Sequence, residues 1–226
     1  NLRCIPLDYV EFYGDPAEDY VWDQLTEYIN TPISHESGSL MPILATAIDI
    51  GGHRGEAVKN YVRSKRIKCP IAVHGAIKVS AQPLAKGSLQ DVNWRGATDK
   101  KGVMIHGVGT VEIKHVLFAR LRSDADKQPK ERMIRFSDQF DDGYFAGIVS
   151  ESYDRKSRRY VNRPGARNEP LDTLVYAYAA LHHSTIRANR YTQKDWDRLE
   201  SLICGGGGGI TQVAAAKVME TEPKQA

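Results

Sequence analysis

A single aspartate at the end of an apolar run is the sharpest chemical feature of the sequence. Asp49 closes the nearly uncharged stretch 41–49 and is followed by Gly51 and Gly52. An ionised carboxylate beside buried apolar residues is unfavourable unless a metal ion, a cation or several hydrogen-bond donors compensate its charge. The position suits a ligand site beyond the end of a strand, and it equally suits a cap for the next helix.

Acidic side chains recur at the predicted start of a later helix. Glu169 and Asp172 lie three residues apart, so on a helix they face the same way. A capping role near the helix N-terminus explains Glu169 better than Asp172, which lies one turn further in. Asp49 and Asp172 could converge on a hard cation such as Mg²⁺ or Mn²⁺, for which carboxylate oxygens are the preferred ligands.

Two such ions about 4 Å apart support phosphodiester hydrolysis, in which water is the nucleophile. That chemistry needs three or four carboxylates in total, and the sequence firmly indicates two. Four further acids are candidates for the remaining ligands, although each is more typical of a solvated surface: Glu151, Asp141, Asp142 and Asp8.

A cluster of basic residues leads into the helix that carries Asp172. It contains one acid, Asp154, and two interleaved tyrosines, Tyr153 and Tyr160. Its cations are Arg155, Lys156, Arg158, Arg159, Arg163 and Arg167. A run of charge is often only a solvated face, but the interleaved aromatic rings favour contact with nucleic-acid phosphates.

The amino-acid composition excludes several broad classes of protein. The 226 residues are 41% hydrophobic, which is enough for one sizeable core, and the net charge of +3 is too small to indicate nucleic-acid binding by itself. Three scattered cysteines exclude a disulfide framework and indicate a reducing, intracellular compartment. The sequence has no uncharged apolar run of roughly 18 residues for a membrane span. It also has no glycine-rich phosphate loop with its lysine, so we expect no ATP site in this chain.

The elements that must position these residues alternate between strands and helices, which predicts an α/β fold with a partly parallel sheet. In the first half we expect strands at 8–12, 41–49 and 71–73, with helices at 16–29 and 57–62. The 41–49 strand is predicted to be central and buried on both faces. In the second half we expect a polar surface loop at 80–100, a strand at 103–108, helices from 110 to 121, 144 to 149 and 169 to 187, and a small hairpin at 153–163. Residues 1–191 would form one domain, and residues 192–226 a flexible glycine-rich tail.

Four stretches of the sequence resemble the C-terminal nuclease domain of the large terminase subunit of tailed bacteriophages, of the phage lambda type. They occur in the same order and spacing as in that family, over about residues 5 to 187. They are 6–17 with 21–25, 47–53, 108–110 with Lys114, and 163–172 with 175–181.

The resemblance implies an RNase H-like fold, a mixed sheet flanked by helices, whose acidic cluster binds two Mg²⁺ or Mn²⁺ ions. Asp49 and Asp172 match the family's catalytic strand and helix aspartates, with Glu169 and Glu151 as further expected metal ligands, and Lys114 is expected to contact DNA. The family's first catalytic aspartate lies on an opening strand that would precede Asn1, so this chain would lack its first strand. The chain also departs from the family at His74, where relatives carry lysine, and at Val111, where they carry an acid.

The implied activity is the cutting of concatemeric viral DNA into genome lengths, in the cytoplasm of an infected bacterial host. The implied partners are double-stranded DNA, an upstream terminase ATPase domain, the small terminase subunit and the portal. Two alternatives stay open: another RNase H-like nuclease such as a junction resolvase, and an inactive DNA-binding or portal-docking fragment, including a degenerate prophage copy.

Overall fold

A four-stranded mixed sheet lies at the centre of residues 2–204, the part of the chain that the computed structural model describes. The elements follow in chain order: α1 (Asp19–Asn30), β1 (Ile33–Ser34), β2 (Leu40–Met41), β3 (Thr46–Asp49), α2 (Gly55–Ser64), β4 (Pro70–Gly75), β5 (Ser88–Trp94), β6 (Ala97–Val108), α3 (Thr110–Asp124), α4 (Asp142–Ile148), β7 (Glu151–Asp154), β8 (Arg159–Asn162), α5 (Glu169–Ala180) and α6 (Gln193–Cys204).

The central sheet has the order β3-β4-β6-β5. Strands β3, β4 and β6 run parallel, and β5 pairs antiparallel with β6. Two further pairs, β1 with β2 and β7 with β8, form separate antiparallel hairpins. The predicted α/β class with a mixed sheet flanked by helices is confirmed, and the arrangement is consistent with an RNase H-like fold.

Alternation along β4 explains how the sheet is covered on both faces. Ile71 and Val73 point into a core shared with α3 and α5, whereas Ala72 between them points into a second core lined by α2. All three side chains are at most 2% exposed. Two helices on one face and one on the other therefore bury the middle of the sheet.

Strand β3 differs from its prediction. Only residues 46–49 of the 41–49 run are extended in the sheet, where they form an edge strand and not a central one. Residues 41–48 are half-buried, and Met41 belongs to the small β1–β2 hairpin. The edge position leaves Asp49, at the end of β3, exposed.

The predicted loop at 80–100 is wrong for its second half. Residues 88–108 form the β5–β6 hairpin, which turns at Arg95 and Gly96 with positive φ angles of 48° and 81°. The hairpin was hidden in the sequence because most of its outward side chains are polar, and Val92 is the buried residue of β5.

The strand predicted at 8–12 is also wrong, because this segment has no ladder partner among the described residues. Its alternation reflects aromatic packing: the ring of Tyr9 lies 5.4 Å from that of Tyr144, and Phe12 lies 5.8 Å from Tyr28. The helices expected from 16, 57, 110 and 144, the strands at 71–73 and 103–108 and the hairpin near 153–163 are confirmed.

The C-terminal part differs in two places. Helix α5 ends at Ala180, seven residues before its predicted end. Residues 193–204, expected as the start of the tail, form α6. Thr192 and Asp195 exchange hydrogen bonds at the start of α6, in a capping arrangement that the sequence could have revealed. The glycine-rich remainder of the tail lies outside the described residues. Over the described range, no helix is both long and apolar enough to cross a membrane.

We predict that Leu117→Ala lowers the free energy of unfolding by about 2–5 kcal/mol, because its fully buried side chain fills the core under α3. Urea denaturation measures the loss. Leu89→Ala is the matched control, since Leu89 is 53% exposed, and its effect should stay within about 0.5 kcal/mol. Equal losses in the two variants would contradict this description of the core.

Candidate active site

A buried lysine joins two acidic side chains at one edge of the sheet. Lys114 Nζ donates hydrogen bonds to both carboxylate oxygens of Glu151 at 2.8 Å and to Asp172 Oδ1 at 2.9 Å. The side chains of Lys114 and Glu151 are 8% and 5% exposed, and that of Asp172 is 37% exposed. An ammonium group has three donors, so these contacts use its full capacity.

Asn168 connects the same two carboxylates from the other side. Its Nδ2 atom donates to Glu151 Oε1 and to Asp172 Oδ2, each at 2.9 Å. Asn168 lies directly before α5 and Asp172 one turn inside it, so the i, i+4 spacing places the two side chains on one face. All four carboxylate oxygens of Glu151 and Asp172 therefore accept at least one hydrogen bond.

Asp49 lies close to this cluster at the end of β3. Its Oδ1 atom accepts a hydrogen bond from the backbone N–H of Gly51 at 2.9 Å, which fixes the side chain at the start of the following turn. Burial raises the pKa of Tyr176 far above its usual range, and the charges of Asp49 and Asp172 together with a hydrogen bond to Asp49 raise it further. The Tyr176 side chain thus lies beside both carboxylates.

The titration of Asp172 reflects its crowded surroundings. Burial raises the pKa of this carboxyl group above its usual value, while the charge and the hydrogen bond of Lys114 oppose the rise. The negative charges of Glu151 and Asp49 add to it. Asp172 therefore lies close enough to Asp49 and to Glu151 to be repelled by both, with Lys114 as the compensating cation.

The sequence places these groups through local packing. In α5, Leu171, Val175 and Ala179 recur every four residues and are at most 1% exposed, which fixes the helix against the core. Asp172 and Tyr176 occupy the adjacent stripe of the same helix, which contacts β3. Helix α3 begins directly after β6, so Lys114 enters the site from the same edge of the parallel strands that carries Asp49.

Gly109 makes the junction between β6 and α3 possible. A side-chain Cβ atom at this position would lie 2.2 Å from the backbone oxygen of Ala81 and 2.6 Å from that of Gln82. The backbone N–H of Gly109 donates to the Gln82 oxygen at 3.0 Å. Only glycine permits this approach, which starts α3 one turn before Lys114.

The donor set suits a hard divalent cation. Carboxylate oxygens from Asp49, Glu151 and Asp172 converge from β3, β7 and α5, and the Lys114 ammonium shows that the space between two of them accommodates positive charge. No three or more His, Cys, Asp or Glu side chains in residues 2–204 are already arranged around one point in the way that a bound ion requires. The chemistry of the residues fits the ion, and the present geometry is that of a lysine-filled site.

Other predicted acidic ligands lie elsewhere. Glu169 is exposed and pairs with Arg167 at 3.4 Å. Asp141 caps α4 through the backbone N–H of Tyr144, and Asp8 accepts a hydrogen bond from Tyr28. Glu151 therefore shares two hydrogen-bond donors, Lys114 and Asn168, with Asp172. None of the three acids named above shares a donor with Asp172.

The predicted DNA-binding residues separate into two groups. Arg155, Lys156 and Arg158 lie exposed at the tip of the β7–β8 hairpin, and their side chains make no hydrogen bond or ion pair within the part of the chain described. The others have intramolecular partners: Arg159 donates to the Ile77 oxygen, Arg163 to the Val149 and Ser150 oxygens, Arg167 to Glu11 at 2.7 Å, and Lys114 to the carboxylates of the site.

The base of this hairpin is fixed next to the acidic cluster. Glu151 is the first residue of β7, and the rings of Tyr153 and Tyr160 lie 4.8 Å and 5.3 Å from the His115 ring on α3. His115 follows Lys114 directly in the chain. The hairpin therefore carries three unpaired cations at one end and a site carboxylate at the other.

Sequence reasoning missed Tyr176 and the bridging roles of Asn168 and Lys114. The i, i+4 relations of Asn168 and Tyr176 to Asp172 were a usable signal, since all three fall on one helical stripe. The burial of Lys114 was signalled only by its apolar neighbours Ile113 and Leu117, which does not reveal which acid the ammonium meets.

Sequence comparison relates the chain to known proteins. Residues 2–196 match the family described as the endonuclease domain of terminase large subunit gpA. The chain is 30% identical over 196 residues to the terminase large subunit of Enterobacteria phage P21, an alignment that covers 80% of this chain and 28% of that relative. The chain thus spans little more than a quarter of the length of this relative. No solved structure matches the chain.

We predict that Asn168→Ala lowers the free energy of unfolding by about 1–3 kcal/mol in EDTA, because two carboxylates lose a shared donor in a partly buried place. The side chain makes no cap hydrogen bond to α5, so helix capping does not contribute. Asn30→Ala is the control, since Asn30 donates one exposed hydrogen bond to the Arg66 oxygen. A loss no greater than that of Asn30→Ala would contradict the bridging role.

Proposed function

Because the chain belongs to the endonuclease-domain family of terminase large subunit gpA, we propose that it is a metal-dependent DNA endonuclease that cuts concatemeric viral DNA during genome packaging. The observation that carries the proposal is the convergence of Asp49, Glu151 and Asp172 on one edge of the sheet. Carboxylates held close together in a partly buried space repel one another, and a bound cation would offset that repulsion.

Asp49 and Asp172 would be the catalytic pair and the principal metal ligands, with Glu151 as the third. When bound, a pair of Mg²⁺ or Mn²⁺ ions would activate a water molecule and stabilise the leaving oxygen of the phosphodiester. Tyr176 lies beside Asp49 and would help to position its carboxylate, and Asn168 fixes the separation of Glu151 and Asp172. Glu169, exposed at the start of the same helix, would be an additional metal ligand after its ion pair with Arg167 breaks.

DNA would approach along the β7–β8 hairpin. Its three unpaired cations, Arg155, Lys156 and Arg158, suit backbone phosphates and carry no sequence information. The base of the hairpin places Glu151 in the acidic cluster, so a strand held at the tip would run toward the site.

The remaining partners belong to the complete terminase. An ATPase domain that drives DNA translocation, the small terminase subunit and the portal would supply motor, site selection and docking in the cytoplasm of the infected host. We propose that this chain, whose alignment covers 28% of the phage P21 protein, contributes the cutting step.

One observation favours a second candidate, an inactive DNA-binding or docking module. Lys114 already compensates Glu151 and Asp172, and the described residues include no acidic group of three set around a metal position. In that case the chain would bind DNA with strong dependence on salt and would never cut it.

We expect the chain to nick supercoiled plasmid with Mn²⁺ or Mg²⁺ and to lose nicking in EDTA. Asp49→Asn and Asp172→Asn should each reduce the rate by at least a hundredfold, because each removes a charged ligand while keeping the side-chain shape. Asp138→Asn, at an exposed position outside the site, is the matched control and should nick at the native rate. Tight DNA binding without nicking in either metal would favour the inactive module instead.

A second expectation concerns the hairpin tip. Changing Arg155, Lys156 and Arg158 together to Gln should weaken DNA binding and make the salt dependence less steep by roughly three phosphate contacts. Fluorescence anisotropy over a salt series measures both quantities. The control with equal charge change is Lys65, Lys100 and Lys101 to Gln, all exposed on other surfaces. Equal effects of the two triple variants would show that the hairpin has no special part in binding.

A further inference from the structure

The Lys114 ammonium lies between two of the proposed metal ligands. Nζ lies 2.8–2.9 Å from three carboxylate oxygens of Glu151 and Asp172, the same two acids that are expected to bind a metal ion. A lysine that contacted DNA would keep a donor free for phosphate, but here all three donors point to carboxylates. The residue as a whole is 6% exposed.

Charge compensation explains why a lysine is buried at this point. With all groups ionised, the three carboxylates of Asp49, Glu151 and Asp172 and the ammonium of Lys114 sum to −2, and without the lysine they sum to −3. Buried carboxylates without a partner strongly destabilise a fold. Before a metal ion binds, the Lys114 ammonium therefore supplies the positive charge that stabilises these carboxylates in the folded protein.

The same contacts place the lysine in competition with the metal. A divalent ion bound to the carboxylate oxygens that accept hydrogen bonds from Nζ would lie within a few ångströms of the ammonium, and two cations at that separation repel each other. The ammonium and the ion would therefore compete for these two acids.

We propose that Lys114 is the resident cation of the metal-free site and that metal binding is an exchange, in which the ion takes over Glu151 and Asp172 as the ammonium withdraws. Lys114 is in this sense a positioning residue, which keeps the ligands together and lowers the affinity of the site for metal. The inference rests on the proposed metal-dependent function, and it adds to it a step that controls when the site becomes active.

The test is Mn²⁺ binding to the native chain and to Lys114→Met, measured by isothermal titration calorimetry, with the melting temperature recorded in EDTA and in Mn²⁺. In EDTA, Lys114→Met should have a lower melting temperature than the native chain, and Mn²⁺ should raise that temperature by more than it does for the native chain. The variant should also bind Mn²⁺ at least roughly tenfold more tightly, because the site has one more uncompensated negative charge. Lys59→Met is the matched control: Lys59 pairs with Glu56 at 2.7 Å on α2, away from the site, so Mn²⁺ affinity should stay at the native value.

Two results would overturn the exchange. One is a folded Lys114→Met variant with native or weaker Mn²⁺ affinity, and the other is the absence of Mn²⁺ binding in both chains. If Lys114→Met is unfolded even with Mn²⁺, Lys114→Met combined with Glu151→Gln decides: recovery of folding supports compensation by Lys114, and no recovery overturns it.

Plasmid nicking by the native chain separates this inference from the nuclease proposal. Metal-dependent nicking together with unchanged Mn²⁺ affinity in Lys114→Met would overturn the exchange and leave the nuclease intact. A native chain that neither nicks nor binds Mn²⁺, beside a Lys114→Met variant that binds it, would support Lys114 as the blocking cation and count against nuclease activity of the native chain.

Discussion

The hydrogen-bonded ion triad of Lys114, Glu151 and Asp172 is the interaction on which the rest of the site depends. It joins α3, the first residue of β7 and the first turn of α5, three segments that are otherwise far apart in the chain. Removal of one partner from a buried pair such as Lys114 and Glu151 costs about 3–5 kcal/mol, because the remaining charge is shielded from solvent. The ends of these three elements are thereby held at one place, so the contacts that position the acidic side chains also stabilise the fold.

The direction of the strands brings the fourth member to the same edge. Because β3, β4 and β6 run parallel, the residue that ends β3 and the helix that follows β6 meet at one side of the sheet. Asp49 therefore lies near Lys114 although 65 positions separate their numbers (114 − 49). Helix α5 then crosses β3 with Asp172 and Tyr176 on one stripe, and the hairpin that starts at Glu151 reaches outward with its cations. The β7–β8 hairpin thus connects the acidic cluster at its base with the basic residues at its tip.

The sequence predicted the parts of the molecule whose signal is local. Asp49 and Asp172 were predicted as ligands because a buried acid is costly without a partner; the structure brings the two close together but leaves Asp49 exposed, and their binding of metal stays a prediction. The hairpin at 88–108 was missed because one face of it is solvated and polar, and the strand at 8–12 was wrong because aromatic contacts imitate strand alternation. Glu169 and Glu151 show the limit most clearly: both are acids near the basic run, yet only the fold decides that Glu151 meets Lys114 while Glu169 meets Arg167.

The most direct test of the central claim is a crystal structure of the chain soaked in Mn²⁺, with anomalous scattering used to locate the ion. We expect an anomalous peak within bonding distance of the carboxylates of Asp49, Glu151 and Asp172, with the Lys114 ammonium no longer between Glu151 and Asp172. Mn²⁺ bound elsewhere on the surface, with the Lys114 contacts unchanged, would contradict the claim that these carboxylates form a metal site.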